Sequence, residues 1–266
     1  MLYPGMPTLI EHQTPAESAA LCRELGLDFV ELNMNLPMYQ PDRLDADFFR
    51  LLQQEYGIYF TVHLDENLNV SDFNPHIARA YRQTVLETLE FCLTIGAPVI
   101  NMHLPRGVYF TLPDRKVYLF EEYGEQYLQS LLLFREECGR LAGNAPIKIC
   151  LENTDGFLPF QKKGIDLLLQ SPLFGLTFDT GHNHSIGGTD EPFILDRASS
   201  LCHMHLHDAS GRNNHLPPGC GEIDMVRCLN LAREHSCRVV LETKTSHALR
   251  ASVQWLRSRC TPAGQP

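Results

Sequence analysis

No apolar run in the 266-residue chain approaches the roughly 18–20 residues needed to span a bilayer, so no membrane partner is expected. The opening stretch MLYPGMPTLIEHQTP lacks the basic region and apolar core of a secretory leader, which makes a cytoplasmic location the expectation. Positive charge is scarce. Lys and Arg number 22 against 32 Asp and Glu, a net charge of −10 that gives broad electrostatic capture of nucleic acid no support. Nucleic acid is therefore not expected as a partner. No C-x-x-C pair occurs among the nine cysteines, and most lie in apolar stretches such as LEFCLTIG and IKICLEN. That pattern implies buried free thiols and excludes a disulfide framework or a thiolate zinc knuckle, with Cys220 standing apart in a loop. No G-x-G-x-x-G follows the first strand-like run, which weakens a doubly wound dinucleotide fold. No repeat, low-complexity tract or linker divides the chain, so residues 1–266 are expected to form one domain.

What is present is alternation. Strand-like runs fall at 28–33, 58–64, 97–104, 147–153, 174–181, 201–208 and 238–244, with a weaker first one at 5–10. Helical patterns separate them. TPAESAALCRELG carries a Thr N-cap, Pro at the first helical position and a terminal Gly, and HIARAYRQTVLETLEFCLTIG repeats its apolar residues near every 3.6. FILDRASS, EIDMVRCLNLAREHS and SHALRASVQWLRS are among the later ones. Eight such alternations in this length predict an α/β fold, a single-domain (β/α)8 TIM barrel.

The expected strand ends share a chemistry. His63, His103, Glu152, Asp179 (with His182 three residues on), His205 and Glu242 sit at or near the C-terminal ends of six consecutive strands. In a barrel that end carries the active site. A single His or Glu there is ordinarily a hydrogen-bonded structural group, but six in one register point to a metal centre. The carboxylate–imidazole mixture suits Zn, Mn or Co, with Mg also admitted. The stretch CHMHLHDASGRNNHLPPGCGEID places four histidines within thirteen positions. Period-two alternation points His203, His205 and His207 to one side, and not all three can enter one inner sphere unless the strand ends early. His205 is expected as the ligand and His203 to fill a layer of the barrel interior. His207 and Asp208 become supports that fix an imidazole, and NNHLPPGCG a semi-rigid loop carrying His215 over the mouth.

The motifs CLENTDG, FDTGH, HLHD…HLPPGCGEID and VLETK together resemble those of the xylose-isomerase-like barrels, which group sugar isomerases and epimerases with zinc apurinic-site endonucleases. The resemblance covers strands three to eight. It implies a four-ligand metal site at Glu152, Asp179, His205 and Glu242, with His182 contacting substrate or binding a further zinc. His63 and His103 match two additional zinc ligands of the endonucleases, and His215 a third. Asn213 stands where those enzymes have an Asp, and Glu66 and NMNLPMYQPD stand where they have lesion-reading aromatic and basic residues.

These readings lead to a divalent-metal-dependent isomerase or epimerase of a sugar or sugar phosphate. Glu152 and Glu242 would move the proton beside a metal-bound carbonyl, and His182, Arg212 and Lys244 would hold substrate. The alternatives are an endonuclease-like zinc phosphodiesterase with a multinuclear site, and a non-catalytic metal- or sugar-binding barrel. Self-association into a homo-oligomer is left open by the sequence.

Overall fold

The computed structural model describes residues 2–260, the side chain of Cys260 excepted. Eight parallel strands close into a barrel: β1 (Tyr3–Pro7), β2 (Phe29–Asn33), β3 (Tyr59–His63), β4 (Val99–His103), β5 (Lys148–Glu152), β6 (Phe174–Asp179), β7 (Leu201–Leu206) and β8 (Arg238–Leu241). They run around the ring in sequence order, β1 pairing with both β2 and β8. Helices connect them on the outside, as in a TIM barrel. β1 starts two residues before the expected run, and the other strands lie within theirs.

Local chemistry sets the helix ends. Thr14 caps the helix Pro15–Glu24 by accepting from the Glu17 N–H, and Gly26 takes the left-handed conformation (φ 61°) that ends it. Besides the short helix Thr180–Ser185, three features were not read from the sequence. The helix Ala46–Tyr56 buries only Phe49 and Leu52, so its apolar stripe is thin. The other two are β-hairpins, Tyr109–Thr111 with Lys116–Tyr118 and Asp208–Ser210 with Asn213–Leu216, whose strands are too short to show alternation. The expected FILDRASS helix is a short turn, Glu191–Leu195, followed by a single 3-10 turn at Ala198–Ser200.

The outer layer between strands and helices is apolar, with Val30, Leu32, Ile100, Leu151, Leu176 and Val239 almost fully buried. Inside the barrel the layer beneath the mouth is polar instead. Glu31, Thr61, Asn101, Thr177 and His203 are all buried there. Buried polar groups are tolerated only when hydrogen-bonded, and these bond to one another and to the strand-end residues above them. Among the described cysteines none is paired; six are buried, Cys202 is half-buried and Cys220 is exposed.

Asp208 does a different job from the imidazole support expected of it. Its carboxylate accepts the backbone N–H groups of Ala209, Gly219, Gly221 and Ile223 at 2.9–3.0 Å, clasping the loop that follows β7. Charge-assisted bonds of this kind, fully buried, contribute more than neutral ones. Asp208→Ala is expected to lower unfolding free energy by about 2–3 kcal/mol in urea titrations. A loss under about 0.5 kcal/mol would show that the loop holds without the clasp.

Candidate metal centre and active site

Parallel register brings the strand-end residues into one cluster. Asp179 and His205 are direct partners across β6 and β7, and His103 and Glu152 across β4 and β5. The Nδ1 atom of His205 faces three carboxylates: Glu152 Oε1 at 3.2 Å, Glu242 Oε2 at 3.2 Å and Asp179 Oδ2 at 3.7 Å. Glu152, Asp179 and His205 are buried, while the Glu242 side chain keeps 13% of its surface exposed at the cavity floor.

Each of these groups is held from behind. The Asn101 amide donates to Glu152 Oε2 and itself accepts from Thr177 Oγ1 at 2.5 Å. Asp179 caps the helix Thr180–Ser185 by accepting the His182 N–H at 2.7 Å. It also accepts from His207 Nε2, which lies 3.0 Å from both of its oxygens. His207 Nδ1 accepts the His215 backbone N–H at 2.9 Å, so the ring proton sits on Nε2 and points at Asp179. His207 thus supports a carboxylate, Asp179, and not the imidazole expected of it. Lys244 Nζ bonds Glu242 Oε1 at 2.8 Å. A Cβ on Gly181 would lie 2.1 Å from the His207 ring, so only glycine admits it. His215 takes a left-handed φ of 59°, unusual for a residue with a side chain, with its ring stacked 4.3 Å from that of His207.

These donors fit a divalent cation. Three carboxylates face His205 Nδ1, and Asp179, His205 and Glu242 offer ligand atoms within 4.8 Å of one another, a mixture that suits Zn, Mn or Co. Among the described residues, Glu242 Oε2, His182 Nδ1 and His103 Nε2 are buried polar atoms without a hydrogen-bond partner, and all three belong to this cluster. Buried atoms left so are costly unless something else binds them. Without a cation, protons take part of that load. Burial alone would lower the His205 pKa, but the charges of Glu152, Glu31 and Glu242 push it well above the usual imidazole range. Burial would raise Glu152 and Glu242, yet the facing imidazoles, His205 first, hold both well below the usual carboxylate range.

A second grouping adjoins the first. His63 Nε2 and His103 Nε2 each lie 3.3 Å from Glu152 Oε2. His63 Nδ1 donates to the Leu64 carbonyl at 2.7 Å, which turns Nε2 toward the carboxylate. Above both groupings opens a cavity of about 580 Å³ whose walls include His182, His215, Glu66, Arg106, Asp155 and Lys244. Every sequence-assigned site residue lies in this region except Arg212. That residue is exposed at the turn of the 208–216 hairpin and does not line the cavity. The hairpin accounts for the difference, because the Ser210–Asn213 pair closes residues 211–212 into an exposed turn. Asn213 is likewise exposed, leaving His182 and His215 as the residues of that corner that reach the cavity.

Glu31, Asn101 and Arg106 are among the residues of the site that were not anticipated. A charged residue on the inward face of DFVELN was a usable signal for Glu31. Asn101 offered a weaker one, and Arg106, whose guanidinium bonds the Asp155 and Gly156 carbonyls, offered none.

Stability should track these charges. Burial opposes protonation of His63, but the hydrogen bond and charge of Glu152, with the charge of Glu31, raise its pKa to about 9. Its unfolded value is near 6.5, so the stabilisation is complete below that pH and is lost as pH rises through about 9. Urea titrations in excess chelator should show stability falling between those pH values, by up to about 3 kcal/mol from His63. His63→Gln should flatten that fall, as should saturating Zn²⁺, since a bound cation replaces the proton. A slope unaffected by either change would contradict the assignment.

A comparison with curated proteins finds no significant sequence match. Solved structures share the fold. A D-tagatose 3-epimerase-like protein superposes with a TM-score of 0.77 at 21% identity, covering 96% of each chain. The 3-keto-D-glucoside 4-epimerase YcjR from E. coli gives 0.74 at 17% identity, over 97% of this chain and all of its own (100%). An IOLI protein with a bound zinc atom gives 0.71 at 17% identity, over 96% and 95%. Residues 19–259 match the profile described as a xylose isomerase-like TIM barrel, and the chain belongs to that family.

Proposed function

We propose that the protein is a divalent-cation-dependent isomerase or epimerase of a sugar or sugar phosphate. The observation that carries this reading is the convergence of Glu152 Oε1 and Glu242 Oε2, each 3.2 Å from His205 Nδ1, at the floor of an open polar cavity. Glu152, Asp179, His205 and Glu242 would hold the cation. When bound, it supplies Lewis-acid charge that makes a C–H beside a substrate carbonyl acidic. The protein supplies the proton traffic. Glu152, fixed by Asn101, would take the proton from one face and pass it to solvent, and Glu242, steadied by Lys244 and facing the cavity, would take a proton from solvent and deliver it from the other side. Delivery to the same carbon from the opposite face inverts it, and delivery to the former carbonyl carbon, with the hydroxyl proton moving to the former carbonyl oxygen, isomerises the sugar. His182 and Lys244 line the cavity within reach of substrate hydroxyls or a phosphate, and Arg106 adds a second cationic group at the rim. The fold shared with a tagatose 3-epimerase-like protein and a keto-glucoside 4-epimerase supports a sugar as the substrate.

Ketoses and ketose phosphates incubated with the Mn²⁺- or Co²⁺-loaded protein in deuterated water should exchange one C–H, read by NMR. Glu152→Gln should lose at least about 100-fold of that exchange rate. Metal binding retained in a variant that exchanges normally would remove Glu152 from proton transfer.

The second grouping supports one rival reading, an endonuclease-like zinc phosphodiesterase. His63 and His103 beside Glu152 Oε2 would hold an additional cation. The exposed Asn213 and the acidic Glu66 on the cavity wall weigh against a third cation and a phosphodiester backbone. Elemental analysis is expected to give fewer than three zinc ions per chain, with no cleavage of an abasic-site duplex. Three ions with cleavage would make the phosphodiesterase the better reading.

A further inference from the structure

The carboxylates of the mouth account for one edge of the His205 ring. The opposite edge meets Glu31, buried on the inward face of β2. Its Oε1 lies 2.8 Å from His205 Nε2, and its Oε2 lies 2.8 Å from His203 Nε2 and accepts from Thr61 Oγ1 at 3.0 Å. An ionised carboxylate only accepts, so the two facing ring nitrogens must carry hydrogens. A neutral imidazole has one N–H. With that hydrogen committed to Glu31, Nδ1 is the nitrogen that the neutral ring leaves free to bind a cation among Glu152, Asp179 and Glu242.

Resting on the reading of these four residues as a cation site, we propose that Glu31 is a positioning residue that fixes His205 as an Nδ1 ligand and thereby sets the affinity for the cation. Thr61 and His203 hold Glu31 in turn, so that its carboxylate cannot rotate away. A carboxylate in a barrel interior costs several kcal/mol unless it is paired. The ion-pair partners of Glu31 among the described residues are His203 and His205, with no lysine or arginine. Filling space would be better served by an apolar side chain. His203 does not explain the acid either, since its Nδ1 has no hydrogen-bond partner and its single bond is the one it donates to Glu31. A carboxylate behind a ligating imidazole makes the far nitrogen a stronger donor and holds the ring plane, and its loss typically costs 10–100-fold in metal affinity.

The test uses Co²⁺ alone, competed against a chromophoric chelator at fixed pH, with the visible Co²⁺ absorption band recorded alongside. Glu31→Gln keeps the shape and removes the charge, and is expected to bind about 10-fold more weakly. Glu31→Leu removes the acceptor, and is expected to bind about 100-fold more weakly with an altered band. His203→Gln retains a donor to Glu31 and should stay within about threefold of the parent. Parental affinity and band in both Glu31 variants overturn the proposal. So does an effect confined to the thermal stability of the chelated protein, which is what a merely structural role would give. Intact Co²⁺ binding without C–H exchange on any ketose defeats the isomerase reading and leaves the role of Glu31 standing. Parental affinity in the Glu31 variants, with exchange observed, does the reverse. A parent chain that binds no Co²⁺ overturns both.

Discussion

Negative charge buried at one end of a barrel is the constraint on which the rest of this structure depends. Glu31, Glu152, Asp179 and Glu242 gather around the two edges of a single imidazole, and three of the four are almost wholly removed from solvent. Carboxylates so placed repel one another and lose their hydration, so the arrangement needs compensating positive charge. The chain provides little from conventional cationic side chains; Lys244 reaches Glu242 from the rim. Histidines carry the remainder, as protonated rings in the cation-free protein and as neutral donors once a cation occupies the site. The same residues can serve both states because imidazole changes its charge without changing its shape.

Holding these groups in place falls to uncharged or singly committed partners. Asn101 and Thr177 secure Glu152, His207 and a helix N-terminus secure Asp179, and Thr61 and His203 secure Glu31. The barrel interior is therefore polar where an ordinary TIM barrel packs branched aliphatic side chains. Stability is supplied by the outer apolar layer, and the inner layer serves the geometry of the mouth. Division of labour between two layers lets the site be demanding without unfolding the barrel.

The barrel and most of its strand-end chemistry were legible in the sequence for a physical reason. Parallel strands buried on both faces read as short apolar runs, and a His, Asp or Glu ending several such runs marks one rim. Glu31 escaped that logic because its meaning lies in partners 172 and 174 residues away, brought opposite it only when the ring closes. Arg212 was expected to hold substrate, but it lies exposed at a hairpin turn and does not line the cavity. Asp208 looked like part of the histidine chemistry, yet its four backbone donors make it the organiser of a loop. Alternation and strand ends are local signals; closure of a ring and the direction of a turn are not.

The absent side chain at position 181 has a consequence for how this chain can change. The His207 ring occupies the volume that any Cβ there would need, and that ring orients Asp179 and anchors the His215 backbone. Positions 181 and 207 are thus bound to an order of substitution. A smaller residue at 207 opens room at 181, whereas a larger residue at 181 while His207 remains displaces a support of the cation site. Mutational paths through this corner of the barrel run in one direction only.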